Sequence, residues 1–587
     1  MMMNKKTIFF IVLALASLQG YAQKGRKLSF IGGARSSVFS NALSVSDTLI
    51  DTTTAKNNYG GYTLLDLGFN IQPNKQTEIM GMFRIKNNYG GFWGSGVQFD
   101  VRQLWVKGVV GNALRYQIGD LNLRQSQFTL YNHHADQLDS MPSVFKLQQN
   151  IVSYEQFYQN NTWRMQGANV DFGLSFSKFL KEINFNGFVT RLNATNFANV
   201  NERLMTGGNI NILQSNQFRF GYTYNSTFDL KGTTVNNNLF SNTIHTFDWS
   251  INHAIAQNTL KLAGEAGISN WNYTADTLAP VLNDYFVNAY AKLYLAYFNT
   301  HISVGYLNVG PDFRSIGAQS KDVNYNSPTL FFNRFTNNQQ LRPITLIDMI
   351  GNENIYNRTI STSLASENEV FNDILPYGLA TFNRVGAYGK LQFQSKNKIH
   401  VQAEVYRLNE IRGQGSDALK AFSQIKLNSK IPFHTLIGLA NKLEVQLGMR
   451  LQQTTRNSIY ANENIDYKNL QVSLGMNYEI IPDLEFLAGF VQQQNNGNSF
   501  ITERNDYSEV TYFRNSNYNL TQQIAAVGLR INFSPKAYLC ALLQQSSYQD
   551  RSELNNNAMA DFKINQFGLI YNILLNPLKV LKVHSYV

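Results

Sequence analysis

The chain has 587 residues, of which 43% are hydrophobic and 15% charged, and its formal net charge at pH 7 is +11. Beyond residue 22 no apolar run approaches the roughly 18 residues of a membrane-spanning helix. The single cysteine, Cys540, excludes an intramolecular disulfide. Basic residues are scattered among acids without a stripe of interleaved aromatics, which argues against nucleic-acid binding.

Residues 1–22 have the organisation of a secretory signal peptide. Two lysines precede an apolar stretch from Ile8 to Ala16, and small and polar residues then lead to a predicted cleavage site after Ala22. Its removal leaves 587 − 22 = 565 residues. Because two lysines and no acids are lost, the formal charge falls from +11 to +9. The sequence therefore predicts an exported protein.

The rest of the chain repeats a pattern in which apolar and polar residues alternate. In KLEVQLGMRLQ, residues 442–452, the apolar set runs from Leu443 to Leu451, and the polar or small set runs from Glu444 to Gln452. Similar segments of about ten residues, the length of a tilted strand that crosses a bilayer, occur at other positions. They include 218–225, 470–480 and 525–533. We predict that Leu443 through Leu451 face lipid and that the polar set faces a wet lumen.

Short and long connections alternate between these segments. Tight turns are predicted at 74–75, 111–112, 215–216, 256–258, 298–299, 482–483 and 535–536. Long polar loops are predicted at 41–58, 125–161, 315–380 and 495–518. This parity is typical of bacterial barrels with short periplasmic turns and long extracellular loops. We predict an all-β, antiparallel transmembrane barrel of about 22 strands (roughly 18 to 24), with 23–587 as a single domain and no plug domain.

A large soluble sandwich, propeller or solenoid would also use short alternating strands. Propellers and solenoids show internal repeats, and the sequence contains none that we can identify. The 13% aromatic content, together with glycine and single charges in the middle of the polar faces, favours the membrane barrel.

Several stretches resemble porin-like outer-membrane barrels of Bacteroidetes-type bacteria. They are the signal peptide that ends in Tyr-Ala-Gln, the Asn- and Gln-rich loops, the run VRQLWVKGVVGNALRYQIGDLNLRQSQFTLYN at 101–132, and GPDFRSIGAQS at 310–320. The resemblance implies an outer-membrane location and a barrel architecture. The C-terminus departs from the family's pattern, because Pro577 interrupts the last segment. The final strand is therefore either 566–576 or continues through 578–587.

Two groups of residues could carry chemistry. His301 and Ser303 fall on one side of a strand, the arrangement of a barrel hydrolase, but the phase of their neighbours points both side chains inward, away from lipid. His133, His134 and Asp136 could bind a metal ion. However, adjacent histidines in an extended chain point in opposite directions, and no further ligand lies at a helical spacing from them. A polar wall and a solvated loop explain these residues better, so we expect no enzyme activity, no metal and no cofactor.

Strand-like alternation begins near Lys27, which leaves no room for a plug, periplasmic repeats or a TonB box. The favoured function is a porin-like channel for passive or loop-gated passage of polar solutes. The charges expected to filter solutes in the lumen are Arg219, Glu444, Arg450, Glu479 and Arg530. The alternative is a non-enzymatic barrel subunit of a secretion or uptake complex. Outer-membrane lipid is the expected partner. The sequence does not determine whether other envelope proteins bind, which solute passes or which oligomer forms.

Residues 315–380 form the longest connection without alternation. They combine many large apolar side chains with charges, a mixture suited to packing on a polar wall. Because an empty barrel of this size would be a wide hole, we predict that part of 315–380 folds into the lumen and sets the constriction. The alternative is an outward loop. If the segment folds into the lumen, the candidate constriction residues are Arg334, Arg342, Asp348, Glu353 and Arg358.

Overall fold

The computed structural model describes residues 28–45, 57–90, 96–111, 113–133, 141–234, 238–274, 281–329, 332, 342–362, 370–371, 373–504, 510–552 and 561–575. The strands are β1 (Leu28–Val45), β2 (Asn57–Asn74), β3 (Thr77–Asn88), β4 (Val97–Val110), β5 (Leu114–Leu123), β6 (Trp163–Ser175), β7 (Glu182–Asn193), β8 (Arg203–Leu213), β9 (Phe218–Asp229), β10 (Phe240–Ile255), β11 (Asn258–Tyr273), β12 (Leu282–Leu295), β13 (Thr300–Val309), β14 (Arg384–Gln394), β15 (His400–Asn409), β16 (Ala421–Ile431), β17 (Leu443–Arg456), β18 (Ile465–Ile481), β19 (Leu484–Arg504), β20 (Val510–Ser534), β21 (Ala537–Asp550) and β22 (Phe562–Leu575).

These 22 strands form one closed antiparallel barrel. Each strand pairs with the next along the chain, and β1 closes the barrel on β22, with register from Gly32 opposite Leu575 to Val45 opposite Phe562. Closure pairs the two strands that would otherwise be edges, so no backbone row is left open to lipid. The predicted fold class and strand count are confirmed. The last strand ends before Pro577, and residues 576–587 lie outside the described part of the chain.

The connections follow the predicted parity. Connections after even-numbered strands up to β20 have two to six residues, apart from 432–442, and those after odd-numbered strands have five or more and lie at the opposite end of the barrel. The structure corrects the prediction that 495–518 is a long loop. Strand β19 continues to Arg504, and β20 begins at Val510. The sequence of 495–518 has no apolar alternation that could reveal the strands, although their pairing continues.

The outward face is apolar, as expected of a wall that meets lipid. Leu447, Met449 and Leu451 on β17 are 36 to 42% exposed on the bare barrel, whereas Gln446 and Arg450 on the inner face are 7% and 3% exposed. The predicted orientation of this strand is confirmed. The alternation therefore gives the barrel an outer surface compatible with hydrocarbon and an inner surface compatible with water.

Two connections enter the barrel. The first inserted segment, 124–162 between β5 and β6, contains helix α1 (Ser143–Glu155). The second inserted segment, 310–383 between β13 and β14, contains α2 (Ile316–Gln319), α3 (Leu346–Gly351) and the 3-10 turns Glu353–Ile355 and Gly378–Ala380. Outside these segments, helix α4 (Phe433–Ile437) lies between β16 and β17, and a 3-10 turn covers Ala461–Glu463. No helix in the described ranges has the length and apolar character needed to cross a membrane.

The prediction that 125–161 is an outer loop is wrong. The described parts of 124–162 pack against the inner wall, and the buried side chains of α1 include Val144, Phe145 and Val152. The described parts of the second inserted segment lie inside the barrel, as hypothesised for part of 315–380. The barrel domain thus fills its own lumen with connections between strands.

Candidate functional site: an occluded lumen

Helix α1 begins in a notch of the inner wall. The inward-facing Gly475 and Gly489 are register partners on β18 and β19. A Cβ atom on Gly489 would lie 2.5 Å from Val144 Cγ1 and 2.9 Å from Pro142 Cβ, so the missing side chain is the space that the helix start occupies. Beside the notch, Gln446 Nε2 donates a hydrogen bond of 2.9 Å to Ser143 Oγ. The wall and the helix start are therefore complementary in shape.

The other end of α1 is held by a buried charge cluster on β1–β4. The Glu155 carboxylate accepts hydrogen bonds from Arg35 and Arg84, and all three side chains are at least nine-tenths buried. Arg84 also donates two hydrogen bonds of 2.7 Å to the Asp66 carboxylate. Arg102 donates one of 2.9 Å to the Tyr154 carbonyl. Helix α1 thus connects the wall at β17–β19 with the wall at β1–β4 across the lumen.

Electrostatics keeps Glu155 ionised in this cluster. Burial alone would raise its pKa, but the charge of Arg35, with hydrogen bonds and charge from Arg84 and the charge of Arg102, outweighs burial and lowers the pKa to about 2. A buried carboxylate whose partners were removed would cost several kcal/mol, so the ionised group and the arginines depend on one another.

An apolar cluster fills the lumen between the helices and the wall formed by β19–β21. Its members from α1 and α3 include Val144, Phe145, Met349 and Ile350. The wall contributes inward-facing apolar side chains, namely Leu487, Val491, Ile524, Ala526, Cys540 and Leu542. The buried residues of this cluster are 0 to 9% exposed, so apolar side chains fill this side of the lumen.

The second inserted segment has its own anchors. Asp373 accepts a hydrogen bond of 2.6 Å from Gln424 Nε2 and pairs with Lys426 on β16. Burial would raise the pKa of Asp373, but Lys426 and then Arg450 lower it to about 2. Asp348, at the start of α3, receives two hydrogen bonds of 2.8 and 2.9 Å from Arg342. Charged groups of this segment therefore serve to fix it in place.

On the side of β5–β14, the two inserted segments meet in a buried contact that belongs to two further apolar clusters. We call residues 129–131 together with 315–319 the barrier. The Gly317 carbonyl accepts hydrogen bonds of 3.0 Å from Trp163 Nε1 and from the Tyr131 backbone N–H. Ser315 Oγ donates one of 3.2 Å to the Thr129 carbonyl. Two short chain segments joined by such bonds separate the two ends of the lumen.

Cavities with both polar and apolar lining residues lie on the two sides of the barrier. The inner cavity, of about 590 Å³, lies towards the short connections and is lined by 124–128 and by inward residues of β8–β14. The outer cavity lies towards the long connections and has two adjoining parts, of about 450 and 270 Å³, that share Leu192, Thr359 and Ile360. Asn132 and Trp163 line its deeper part. Phe128 lines the inner cavity and Asn132 the outer cavity, so residues 129–131 of the barrier lie between the two cavities.

The predicted lumen charges do not form one ring. Arg219 pairs with Asp248 in the inner cavity. Arg450 is buried near Asp373. Three others lie near the short connections and pair with neighbours on the wall: Glu444 with Lys430, Glu479 with Lys442, and Arg530 with Glu485.

The predicted constriction residues serve mainly to hold the inserted segments together. Arg342 pairs with Asp348, as described above. Arg358 Nε donates a hydrogen bond of 2.9 Å to Gln156 Oε1, and Gln156 Nε2 donates one of 2.7 Å to the Glu353 carbonyl. These contacts join the two segments. Arg334 lies outside the described residues.

The other chemical candidates remain apart. No hydrogen bond joins the side chains of His301 and Ser303 in the described structure, and His301 stacks on Tyr294 at 4.7 Å between ring centroids. His133 stacks on Tyr131, whereas His134 and Asp136 lie outside the described ranges. Among the residues that the structure describes, no three His, Cys, Asp or Glu side chains are grouped to hold a metal ion.

Sequence reasoning missed several residues of the site. Helix α1 carries apolar side chains at Val144, Phe145, Leu147 and Val152, a spacing that a search for helical periodicity inside the loops could have found. The cluster around Glu155 has no such local signal, because its members come from distant parts of the chain. The cations of the inner cavity occupy inward strand positions, but their proximity depends on strand register.

The closed strand order and the apolar outer wall define the class: the chain is an outer-membrane β-barrel with a filled lumen. Neither a protein-family model nor a curated protein matches the sequence. Solved structures that it resembles include OccK11 of Pseudomonas aeruginosa, with 8% identity, a TM-score of 0.32, and coverage of 93% of this chain and 96% of that one. A BenF-like porin of Pseudomonas fluorescens has 9% identity, a TM-score of 0.34, and coverage of 93% and 99%. Wzi of Escherichia coli, a carbohydrate-binding barrel of capsule assembly, has 11% identity, a TM-score of 0.33, and coverage of 78% and 86%.

Proposed function

We propose that the barrel is a porin-like channel for small polar solutes, gated by its two inserted segments. The observation that carries this proposal is the pair of cavities, each with polar lining residues, on opposite sides of the barrier. A barrel with a purely structural role has no need for water-compatible space at both ends of its lumen. A channel needs both, because solutes must lose contact with bulk water gradually.

The packing supports a route along β5–β14. On the side of β19–β21, α1 and α3 fill the lumen with an apolar cluster, and Glu155 anchors that filling to the wall. On the side of the barrier, the two inserted segments are joined by neutral hydrogen bonds and apolar contacts, without a buried charge pair between 129–131 and 315–319 among the described residues. Neutral hydrogen bonds contribute less than buried charge pairs do, so the barrier is the element expected to move.

The chain geometry allows a direct test by removal of the second inserted segment. The Asn383 backbone N–H donates a hydrogen bond of 3.1 Å to the Gly310 carbonyl, so the ends of the segment are neighbours. A short Gly-Ser link in place of 311–382 can therefore join β13 to β14 without strain on the barrel. We expect single-channel conductance in planar bilayers to rise severalfold over that of the wild type.

A matched control is the removal of 196–199 from the β7–β8 connection, four exposed residues at the same end of the barrel. This variant should keep wild-type conductance. Heat-modified mobility in detergent gels would show that both variants fold. A folded deletion variant with unchanged conductance would contradict the proposal. A wild-type barrel that never opens, beside a conducting deletion variant, would favour the alternative of an occluded subunit in an envelope complex.

A further inference from the structure

Two lysines of the inner cavity face each other without an acidic partner. Lys261 on β11 and Lys292 on β12 are register partners, and both point inward. Neither forms an ion pair with a carboxylate among the described residues. Like charges directly opposite each other on one face of a sheet are destabilising, so this pair is unfavourable unless an anion or water screens it.

Three other basic side chains of the inner wall do have acidic partners. Within the same cavity Arg219 pairs with Asp248, and Lys390 on β14 lies 3.4 Å from the Glu404 carboxylate. Near the short connections, Lys430 lies 2.9 Å from Glu444. Lys261 and Lys292 differ from Arg219, Lys390 and Lys430 in having no carboxylate at ion-pair distance among the described residues.

The register extends the lysine pair into a row. Lys292 is opposite Ser303 on β13, and Ser303 is opposite Lys390 on β14, so four neighbouring strands present three ammonium groups and one hydroxyl at one level of the wall. All four residues line the inner cavity. Its lining has five basic and two acidic side chains, which leaves an excess of positive charge around the space.

We infer that the inner cavity binds small oxyanions, with Lys261 and Lys292 as the principal contacts. A carboxylate or phosphate group between the two ammonium groups would accept charge-assisted hydrogen bonds and relieve their repulsion. Ser303 offers a hydroxyl donor and Lys390 a further cation. The role of this site in transport rests on the proposed channel function, whereas binding itself does not require the channel to open.

The test is isothermal titration calorimetry on the full-length barrel in detergent, with citrate, inorganic phosphate and neutral glucose as probes. We expect citrate or phosphate to bind and glucose not to bind. The K261Q/K292Q variant should lose about tenfold or more in anion affinity, since it removes two charge-assisted contacts. Higher NaCl should weaken wild-type binding.

The matched control is K75Q/K536Q, which removes two exposed lysines from short turns at the same end of the barrel. It should bind anions as the wild type does. The two anion probes distinguish carboxylate from phosphate as the preferred group. Absence of binding to the wild type, or an equal loss in both double variants, would overturn the inference. A barrel that binds anions but never conducts would refute only the channel proposal.

Discussion

Gly475 on β18 and Gly489 on β19 are register partners, and together they leave the notch in which α1 begins. A side chain at residue 489 competes directly with Val144 and Pro142 for that space. We predict that Gly489→Val displaces the start of α1 and lowers the free energy of unfolding by about 1–3 kcal/mol, the usual cost of overpacking. Denaturant titration in lipid vesicles would measure the change, and planar bilayers would show whether conductance rises.

The control is Gly187→Val, because a Cβ atom at residue 187 meets only the Gly207 carbonyl oxygen, at 4.0 Å. This variant should resemble the wild type in both measurements. If the two valine variants behave alike, the notch does not position α1.

Glu155→Gln should destabilise the barrel at neutral pH. The substitution leaves Arg35 without its buried counter-charge and Arg84 with Asp66 as its remaining acidic partner. The lowered pKa of Glu155, about 2 instead of 4.5, corresponds to roughly 3 kcal/mol. Because the folded-state pKa is depressed, this contribution is complete above pH 4.5 and is lost as the pH falls towards 2. Unfolding titrations at several pH values should show the stability difference shrink over that window.

The exposed Asp417→Asn is the companion variant for this experiment, since it removes one carboxylate from the β15–β16 connection. Its stability should match that of the wild type throughout. A stability difference for Glu155→Gln that stays constant down to pH 2 would show that charge is not the source of the effect.

A disulfide between the two inserted segments should restrain their separation at the barrier. A Cβ atom built on Gly351 lies 3.9 Å from Gln148 Cβ, within the range of about 3.5–4.5 Å for disulfides. In a Cys540→Ala background, Gln148→Cys with Gly351→Cys should cross-link α1 to α3 on oxidation. We expect open-channel events to become several times rarer, and a reductant to restore them.

The two single-cysteine variants are controls for oxidation itself and should not respond to the reductant. Complete cross-linking with unchanged channel activity would mean that the gate opens without separation of α1 from α3. In that case the barrier alone would be the moving part.

Neighbouring residues on β13 test the facing of the wall. Val304 is 61% exposed on the outer surface, whereas Ser303 lines the inner cavity. Arginine near the bilayer midplane costs about 2–4 kcal/mol on a lipid face and little in a hydrated lumen. Val304→Arg should therefore impair folding into vesicles far more than Ser303→Arg, as measured by gel shift. The opposite ranking would invert the orientation of this strand.

The sequence by itself determined the barrel class, the strand count and the facing of the strands. Each depends on a short-range requirement: successive residues such as Gln446 and Leu447 must meet water or lipid in turn, so the pattern is written into every segment. The same reasoning was silent for the ends of β19 and β20, because residues 495–518 have no apolar alternation.

The tertiary structure alone decided how the lumen is filled and which charges meet. Ser143 and Gln446 are 303 residues apart, and Arg35 and Glu155 are 120 apart, so no local pattern reports their contacts. Lys261 and Lys292 were predictable as inward residues, but they became neighbours only through the register of β11 and β12. Facing is a local property of a strand, whereas register and lumen packing arise from the free energy of the whole closed barrel.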